Sequence, residues 1–162
     1  MFSLNCKGRL LVVDKPKVMG ILNITPDSFY SGSRVQNLDD ILRRAEQQLE
    51  QGAVILDIGG QSTRPGSDQL DAETELSRVI GPLEAIHRRF PEAFLSIDTY
   101  YAAVAREAVA AGAAIVNDIS AGLLDPLLIP EVARLNVPYI LMHMKGNPQT
   151  MQQQATYTNV TK

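Results

Sequence analysis

Polar side chains close five apolar segments of this 162-residue chain. Each segment is a short run rich in Val, Ile and Leu, and the runs end at Asn23, at Asp57, at Asp98, at Asn117 with Asp118, and at His143. Such runs are typical of strands that are buried on both faces of a parallel sheet. One buried Asp or Asn usually makes only a structural hydrogen bond, and a lone strand-end His is often a core residue. Five consecutive endings of this kind are hard to explain by packing, so they predict a functional site.

The loop after the second of these segments has the chemistry to hold an anion. Ser62 and Thr63 supply hydroxyl donors, Arg64 supplies a forked guanidinium, and Pro65 ends the loop. An ordinary Gly/Ser/Pro surface turn is the alternative interpretation of this segment taken by itself. The repeated polar strand ends favour the functional interpretation.

Hydrophobic periodicity predicts the elements that position these side chains. A hairpin is expected at residues 2–13, with strands at 18–24, 54–58, 94–98, 114–119 and 139–143. Apolar residues at helical spacing predict a helix over 38–51 that Asn37 caps, and further helices that begin at Asp71, Thr99 and Asp125. A last short helix is expected around 150–154.

Alternation of strands and helices predicts a parallel sheet with right-handed crossovers. Two architectures fit this order: an open doubly wound sheet and a (β/α) barrel. Both place their sites at the carboxyl ends of the strands. We divide the chain into an N-terminal hairpin, residues 1–17, and a main domain, residues 18–162.

The composition is that of an ordinary globular domain, with 45% hydrophobic residues, 20% charged residues and a net charge of −3. A basic patch with interleaved aromatic residues is not apparent, so a nucleic-acid partner is not expected. Cys6 is the only cysteine, which fits a reducing compartment. Neither a signal peptide nor a membrane-spanning apolar run is visible, so we expect a cytoplasmic protein without a membrane partner.

Five motifs together resemble the dihydropteroate synthase family. They are NITPDSF at 23–29, DIGGQSTRPG at 57–66, SIDT at 96–99, VNDI at 116–119 and MHMKG at 142–146. The first two are long and stand in the family's order, and the others fall on successive predicted strand ends. The resemblance extends from about Leu4 to Gln152 and implies an α/β fold, the (β/α)8 TIM barrel, of which this chain carries about the first five βα units.

The resemblance also implies an activity. These enzymes join 6-hydroxymethyl-7,8-dihydropterin diphosphate to 4-aminobenzoate and release diphosphate. A Mg²⁺ ion bound with the substrate diphosphate, a homodimer and sensitivity to sulfonamides belong to the same expectation.

Site residues carry over motif by motif. Asn23 is expected to hold Mg²⁺ through its carbonyl oxygen, and Asp98 to accept hydrogen bonds from the amino-pyrimidine edge of the pterin. Asn117 offers that ring both a donor and an acceptor, while Met142 packs against its flat face. The remaining expected site residues lie in two loops: Asp27 and Arg64 as catalytic groups, and Phe29, Ser62, Thr63 and Pro65 as substrate contacts.

The chain departs from the family pattern in two respects. Ser31 stands where the family often carries an acidic residue, and a complete barrel takes about 250 residues. We therefore expect an amino-terminal part of the enzyme that is inactive alone. The alternatives are a related pterin-binding methyltransferase and a non-catalytic pterin-binding module; the two loop motifs favour the synthase over the methyltransferase.

Overall fold

A computed structural model describes residues 1–24, 34–61, 69–147 and 150–160 of the chain. Its elements, in chain order, are β1 (Phe2–Cys6), β2 (Arg9–Val13), β3 (Val18–Asn23), α1 (Arg34–Glu50), β4 (Ala53–Gly59), α2 (Ala72–Arg89), β5 (Phe94–Asp98), α3 (Ala102–Ala111), β6 (Ile115–Asp118), α4 (Leu128–Leu135), β7 (Tyr139–Leu141) and α5 (Met151–Gln154). The predicted hairpin and the five predicted strands are confirmed.

The main sheet is wound in one direction. Strands β3 to β7 are all parallel, and their order across the sheet is their order along the chain. A doubly wound sheet reverses its strand order at a central switch point, whereas a barrel adds each strand beside the previous one. The observed order therefore distinguishes the two predicted architectures in favour of the barrel.

Side chains alternate between two environments along β4. Leu56 and Ile58 pack in the larger core cluster, which the helices share, whereas Ile55 belongs to a second cluster with Cys6 and Leu11 of the hairpin. Because successive strand residues face opposite sides of a sheet, Asp57 and Gly59 share the face of Ile55. The hairpin and the polar residues therefore lie on the same face of the sheet. The hairpin covers the amino ends of the strands on that face, and the polar residues stand at the carboxyl ends.

Polar contacts seat the hairpin at that amino end. The Arg9 guanidinium donates to the carbonyl oxygen of Pro91 at 2.8 Å and lies 4.5 Å from the centre of the Phe94 ring. The Lys7 ammonium donates to the carbonyl oxygen of Val109 at 2.7 Å. These acceptors precede β5 and end α3, so the hairpin is fixed at the end of the sheet opposite the polar strand ends.

Three of the four predicted helix starts differ from the structure, at α1, α3 and α4. Helix α1 begins at Arg34, so Asn37 lies inside the helix and the prediction that it caps the helix is wrong. Asp71 is confirmed as the N-cap of α2, since its carboxylate accepts from the Thr74 N–H at 2.7 Å. Helix α3 begins at Ala102 and Tyr101 occupies its N-cap position, so the expected Thr99 cap is also wrong.

One carboxylate serves the starts of both α3 and α4. Asp125 Oδ2 accepts from the Ala102 N–H at 2.8 Å, and its Oδ1 accepts from the Leu127 N–H at 3.0 Å. Leu127, not Asp125, is the N-cap of α4, so that prediction was displaced by two residues. The difference has a physical reason: the carboxylate satisfies orphan N–H groups of two helices at once, which local sequence cannot reveal.

Among the described residues, none of the helices is long and apolar enough to cross a membrane.

Candidate active site

The pairing of neighbouring strands aligns the polar strand ends side by side, and these aligned positions are called the polar row below. Asn23 pairs with Gly59, Gly59 with Asp98, and Asp98 with Asn117 across β3, β4, β5 and β6. Adjacent strands lie about 4.8 Å apart, so the four positions form a continuous edge. The structure therefore brings three predicted site residues, Asn23, Asp98 and Asn117, to the same edge.

Glycine at position 59 leaves room between two of these side chains. A Cβ atom there would lie 3.3 Å from Asp98 Oδ2 and 3.5 Å from Asn23 Oδ1. The carboxylate and the amide oxygen thus converge above a residue that has no side chain. Any larger residue at position 59 would occupy the space between them.

Asp98 has an unusual acidity. Burial raises the pKa of its carboxyl to about 7, and the negative charges of Asp57, Glu75 and Asp118 add to the rise. The side chain is half-buried, so it is still open to a ligand. A group that changes charge near neutral pH at a strand end is typical of a functional site.

Asp57 lies one layer below this row, and Asn117 reaches it. The Asn117 amide nitrogen donates to Asp57 Oδ2 at 2.9 Å, and burial raises the pKa of the Asp57 carboxyl. Asp57 is only 3% exposed, and Ser96, its fully buried register partner on β5, lies between the two strands. In the part of the chain that the structure describes, Asp57 Oδ1 and Ser96 Oγ have no hydrogen-bond partner.

A second polar network holds the turn that follows β4. The Gln61 amide nitrogen donates to Glu75 Oε2 at 3.0 Å and to the Tyr100 hydroxyl at 2.8 Å. The Arg78 guanidinium donates to the carbonyl oxygen of Gly60 at 3.1 Å. Glu75 is completely buried, and burial raises the pKa of its carboxyl.

Close packing reinforces this network at Gly60. A Cβ at that position would lie 2.9 Å from Glu75 Cγ and 2.9 Å from Val79 Cγ1. Helix α2 therefore approaches the turn as closely as the absence of a side chain allows. Sequence reasoning did not select Glu75, although one signal could have found it: Glu75, Val79, Leu83 and Ile86 form the buried stripe of α2, and one member of that stripe is charged.

Asp118, the neighbour of Asn117, has a different role. It is completely buried and accepts hydrogen bonds from the Ser120 N–H, the Gly122 N–H and the Tyr139 hydroxyl, at 2.7, 2.7 and 2.6 Å. These contacts satisfy the carboxylate inside the protein and close the loop after β6. Asp118 is therefore a structural residue, as a buried strand-end carboxylate commonly is.

Strand β7 ends at Leu141, two residues earlier than predicted, which leaves Met142 and His143 beyond it. His143 is exposed, and its Nε2 lies 3.0 Å from the Tyr157 hydroxyl. The Met142 side chain is 36% exposed, while its N–H donates to the carbonyl oxygen of Asp118 at 3.1 Å.

Six predicted site residues lie outside the described residues: Asp27, Phe29, Ser62, Thr63, Arg64 and Pro65.

Asn23 contributes to the row a side-chain carbonyl oxygen, an oxygen of the type that Mg²⁺ accepts as a ligand. Asn23 Oδ1 points toward the space above Gly59, and a side-chain carbonyl is a suitable hard ligand. A group of three or more His, Cys, Asp or Glu side chains that could hold a metal is absent among the residues described here. Mg²⁺ is commonly bound by one or two protein oxygens together with substrate phosphates and water, so Asn23 fits that mode.

These features define a candidate binding site at the strand ends of a partial (β/α)8 barrel. The family model for "Pterin binding enzyme" matches residues 19–162, and the chain belongs to that family. It is 45% identical over 158 residues to dihydropteroate synthase of Escherichia coli strain K12, a match that covers 98% of this chain and 55% of that protein. The predicted resemblance is therefore confirmed, and the chain spans about half the length of this relative.

Solved structures give the same result. The Yersinia pestis dihydropteroate synthase with a sulfonamide drug complex has a TM-score of 0.86 and 42% identity, over 99% of this chain and 57% of that chain. The Xanthomonas albilineans dihydropteroate synthase with 4-aminobenzoic acid has a TM-score of 0.82 and 44% identity, over 89% of this chain and 52% of that chain. At this level of identity, the fold and the strand order are shared.

Proposed function

We propose that this chain works in dihydropteroate synthesis, joining 6-hydroxymethyl-7,8-dihydropterin diphosphate to 4-aminobenzoate with release of diphosphate. The observation that carries the proposal is the in-register row of Asn23, Gly59, Asp98 and Asn117 at the carboxyl edge of the sheet. Membership of the pterin-binding family and similarity to dihydropteroate synthases support it.

The row suits a flat heterocycle with several N–H groups. The Asp98 carboxylate accepts hydrogen bonds from the amino-pyrimidine edge of the pterin, and charge-assisted bonds of this kind are the stronger ones. Asn117 contributes an amide to the same ring. Gly59 allows the ring to approach the backbone, because a side chain there would meet Asp98 and Asn23.

Diphosphate departure is the step that most needs electrostatic help. We propose that Asn23 holds Mg²⁺, which supplies positive charge beside the diphosphate oxygens. Arg64 and Thr63, assigned by motif, contact the same group. Water must be kept from the reacting carbon, because it would otherwise trap that carbon.

The reaction itself needs little covalent assistance from the protein. The amine of 4-aminobenzoate attacks the pterin methylene carbon, the bond from that carbon to the diphosphate oxygen breaks, and the bonding pair leaves with diphosphate. The attacking amine then gives up one proton to solvent. Asp27, Phe29, Ser62 and Pro65, assigned by motif, belong to the loops proposed to surround the two substrates.

Three further properties belong to the same proposal: a homodimeric enzyme, a cytoplasmic location and inhibition by sulfonamides. The last has support from the Yersinia pestis relative, which was solved with a sulfonamide drug complex. Sulfonamides resemble 4-aminobenzoate, so competition between the two is the expected form of inhibition.

A binding assay and a turnover assay together test the proposal. The 162-residue chain is titrated calorimetrically with 6-hydroxymethylpterin and then assayed for diphosphate release, first alone and then with the carboxyl-terminal half of a related synthase. We expect weak pterin binding and no release from the chain alone, and measurable release from the mixture. Binding without release in either arm would identify a non-catalytic pterin-binding module, and absence of binding would contradict the proposal.

A further inference from the structure

Asp57 meets Asn117 across an intervening strand. The two residues lie on β4 and β6, and the Asn117 amide nitrogen crosses over β5 to donate to Asp57 Oδ2 at 2.9 Å. Ser96, the β5 residue in register with Asp57, is small enough to leave that path open. Asp57 is 3% exposed, so this contact is shielded from solvent.

The chemistry of the pair determines which way the amide faces. An asparagine amide has a donor end and an acceptor end, whereas an ionised carboxylate only accepts. Asp57 can therefore bind the N–H end of Asn117 and not its carbonyl end. This bond uses one N–H of the Asn117 amide, while the carbonyl oxygen and the second N–H take no part in it.

We propose that Asp57 is a positioning residue that fixes the Asn117 amide and thereby sets the donor and acceptor order that the site accepts at a ring edge. This inference rests on the proposed function, in which Asn117 contacts a pterin. Two acceptors, the Asn117 carbonyl and the Asp98 carboxylate, then favour a heterocycle whose edge presents N–H donors. A ring that replaces one of those donors by a carbonyl loses a hydrogen bond there and places an acceptor against an acceptor.

The substitution Asp57→Asn separates this role from a purely structural one. An asparagine at position 57 has nearly the same shape but carries its own N–H groups, so it allows the Asn117 amide to turn over. A structural contact would change stability and leave ligand preference alone. A positioning contact changes the ratio of affinities for two ligands whose ring edges differ in the order of donors and acceptors.

The experiment compares 6-hydroxymethylpterin with 6-hydroxymethyllumazine, in which a carbonyl replaces the 2-amino group and the neighbouring ring nitrogen N1 carries a hydrogen. Calorimetric titration of the full chain should show preference for the pterin, and D57N should lower that preference by about fivefold, the effect of roughly one hydrogen bond. The control is S96A, which removes a neighbouring buried hydroxyl but leaves the Asp57–Asn117 contact, and its ligand preference should equal that of the wild type.

A measurement on the ligand-free wild type tests the contact without a substitution, and it applies even where D57N does not fold. NMR of the Asn117 side-chain amide should show one proton that exchanges slowly with solvent, because Asp57 accepts it. Equal, fast exchange of both amide protons would overturn the inference, as would an unchanged ligand preference in folded D57N. A wild-type chain that binds neither pteridine would instead overturn the proposed function, and with it the ligand role of the pair.

Discussion

The Asp98 carboxyl couples ligand binding to pH, because only its ionised form accepts the N–H donors of a pterin edge. Its pKa of about 7 lies in the range where assays are run. Pterin affinity should therefore rise between pH 6 and pH 8, with a loss of up to about tenfold for each pH unit below the pKa. Calorimetric titration at several pH values measures this, and D98N should bind weakly with little dependence on pH. Wild-type affinity that is constant across this interval would contradict the assignment of Asp98.

The same carboxyl should act on stability with the opposite sign. Its folded pKa of about 7 lies above its ordinary value of 3.8, so the folded state binds an extra proton between those two pH values. The contribution of this carboxyl to the free energy of unfolding is then greatest below this interval and falls as the pH rises through it to about 7. The loss is at most about 1.4 kcal/mol for each unit of pKa difference. D98N should raise the free energy of unfolding at pH 8 more than at pH 5, as urea denaturation would show. An exposed carboxyl such as Glu84 offers the control, since E84Q should have little effect at either pH.

At the scale of elements, helix α2 is attached to the turn after β4 through Glu75. Replacing Glu75 by Gln keeps an acceptor for Gln61 and removes a buried ionisable group, so E75Q should equal or exceed wild-type stability at pH 8. Replacing it by Leu leaves the Gln61 amide without that acceptor and should cost about 1–3 kcal/mol. Thermal unfolding of both variants measures the difference, with E84L on the exposed face of α2 as the control. Equal stability of E75L and E84L would show that the network contributes nothing.

Asp125 links α3 and α4 by serving the start of each. D125A should remove an acceptor from the Ala102 and Leu127 N–H groups together and lower the free energy of unfolding by roughly 1–2 kcal/mol. Native-state hydrogen exchange would then show faster exchange in the first turns of both helices. Faster exchange in only one of them would mean that the carboxylate does not join the two elements.

At the scale of the whole molecule, β3 and β7 are the edges of the main sheet within the part of the chain that the structure describes. Ile21 and Leu141 on these strands are 61% and 55% exposed, and unpaired apolar edges favour association. Sedimentation of the 162-residue chain should show association that increases with concentration, and the pair of substitutions I21K and L141K should reduce it. A strictly monomeric wild-type chain at high concentration would contradict this expectation.

Sequence patterns predicted the sheet and part of the site because both depend on regular alternation. Asn23, Asp98 and Asn117 were recognisable since each closes an apolar run, and parallel strands bring such ends together. Glu75 was not, because a helical Glu usually faces solvent and its burial depends on a partner in a different element. Sequence alone also does not show whether Asn117 or Asp118 points into the site, because successive strand residues face opposite sides of the sheet. The site residues assigned to the two loops, which begin at Asp27 and at Ser62, stay predictions.

The position of the hairpin separates two kinds of sequence change. Cys6 and Leu11 pack with Ile55 and Ile115 at the amino end of the sheet, while the polar row lies at the carboxyl end. Buried carboxyls such as Asp57 lower the stability of the fold. Better packing under the hairpin can offset that loss, and because the hairpin lies at the opposite end of the sheet, such a change leaves the polar row unaffected. In laboratory evolution, compensatory mutations are therefore expected at the amino end of the sheet. Stability gained there would allow destabilising changes of the binding site at the carboxyl end.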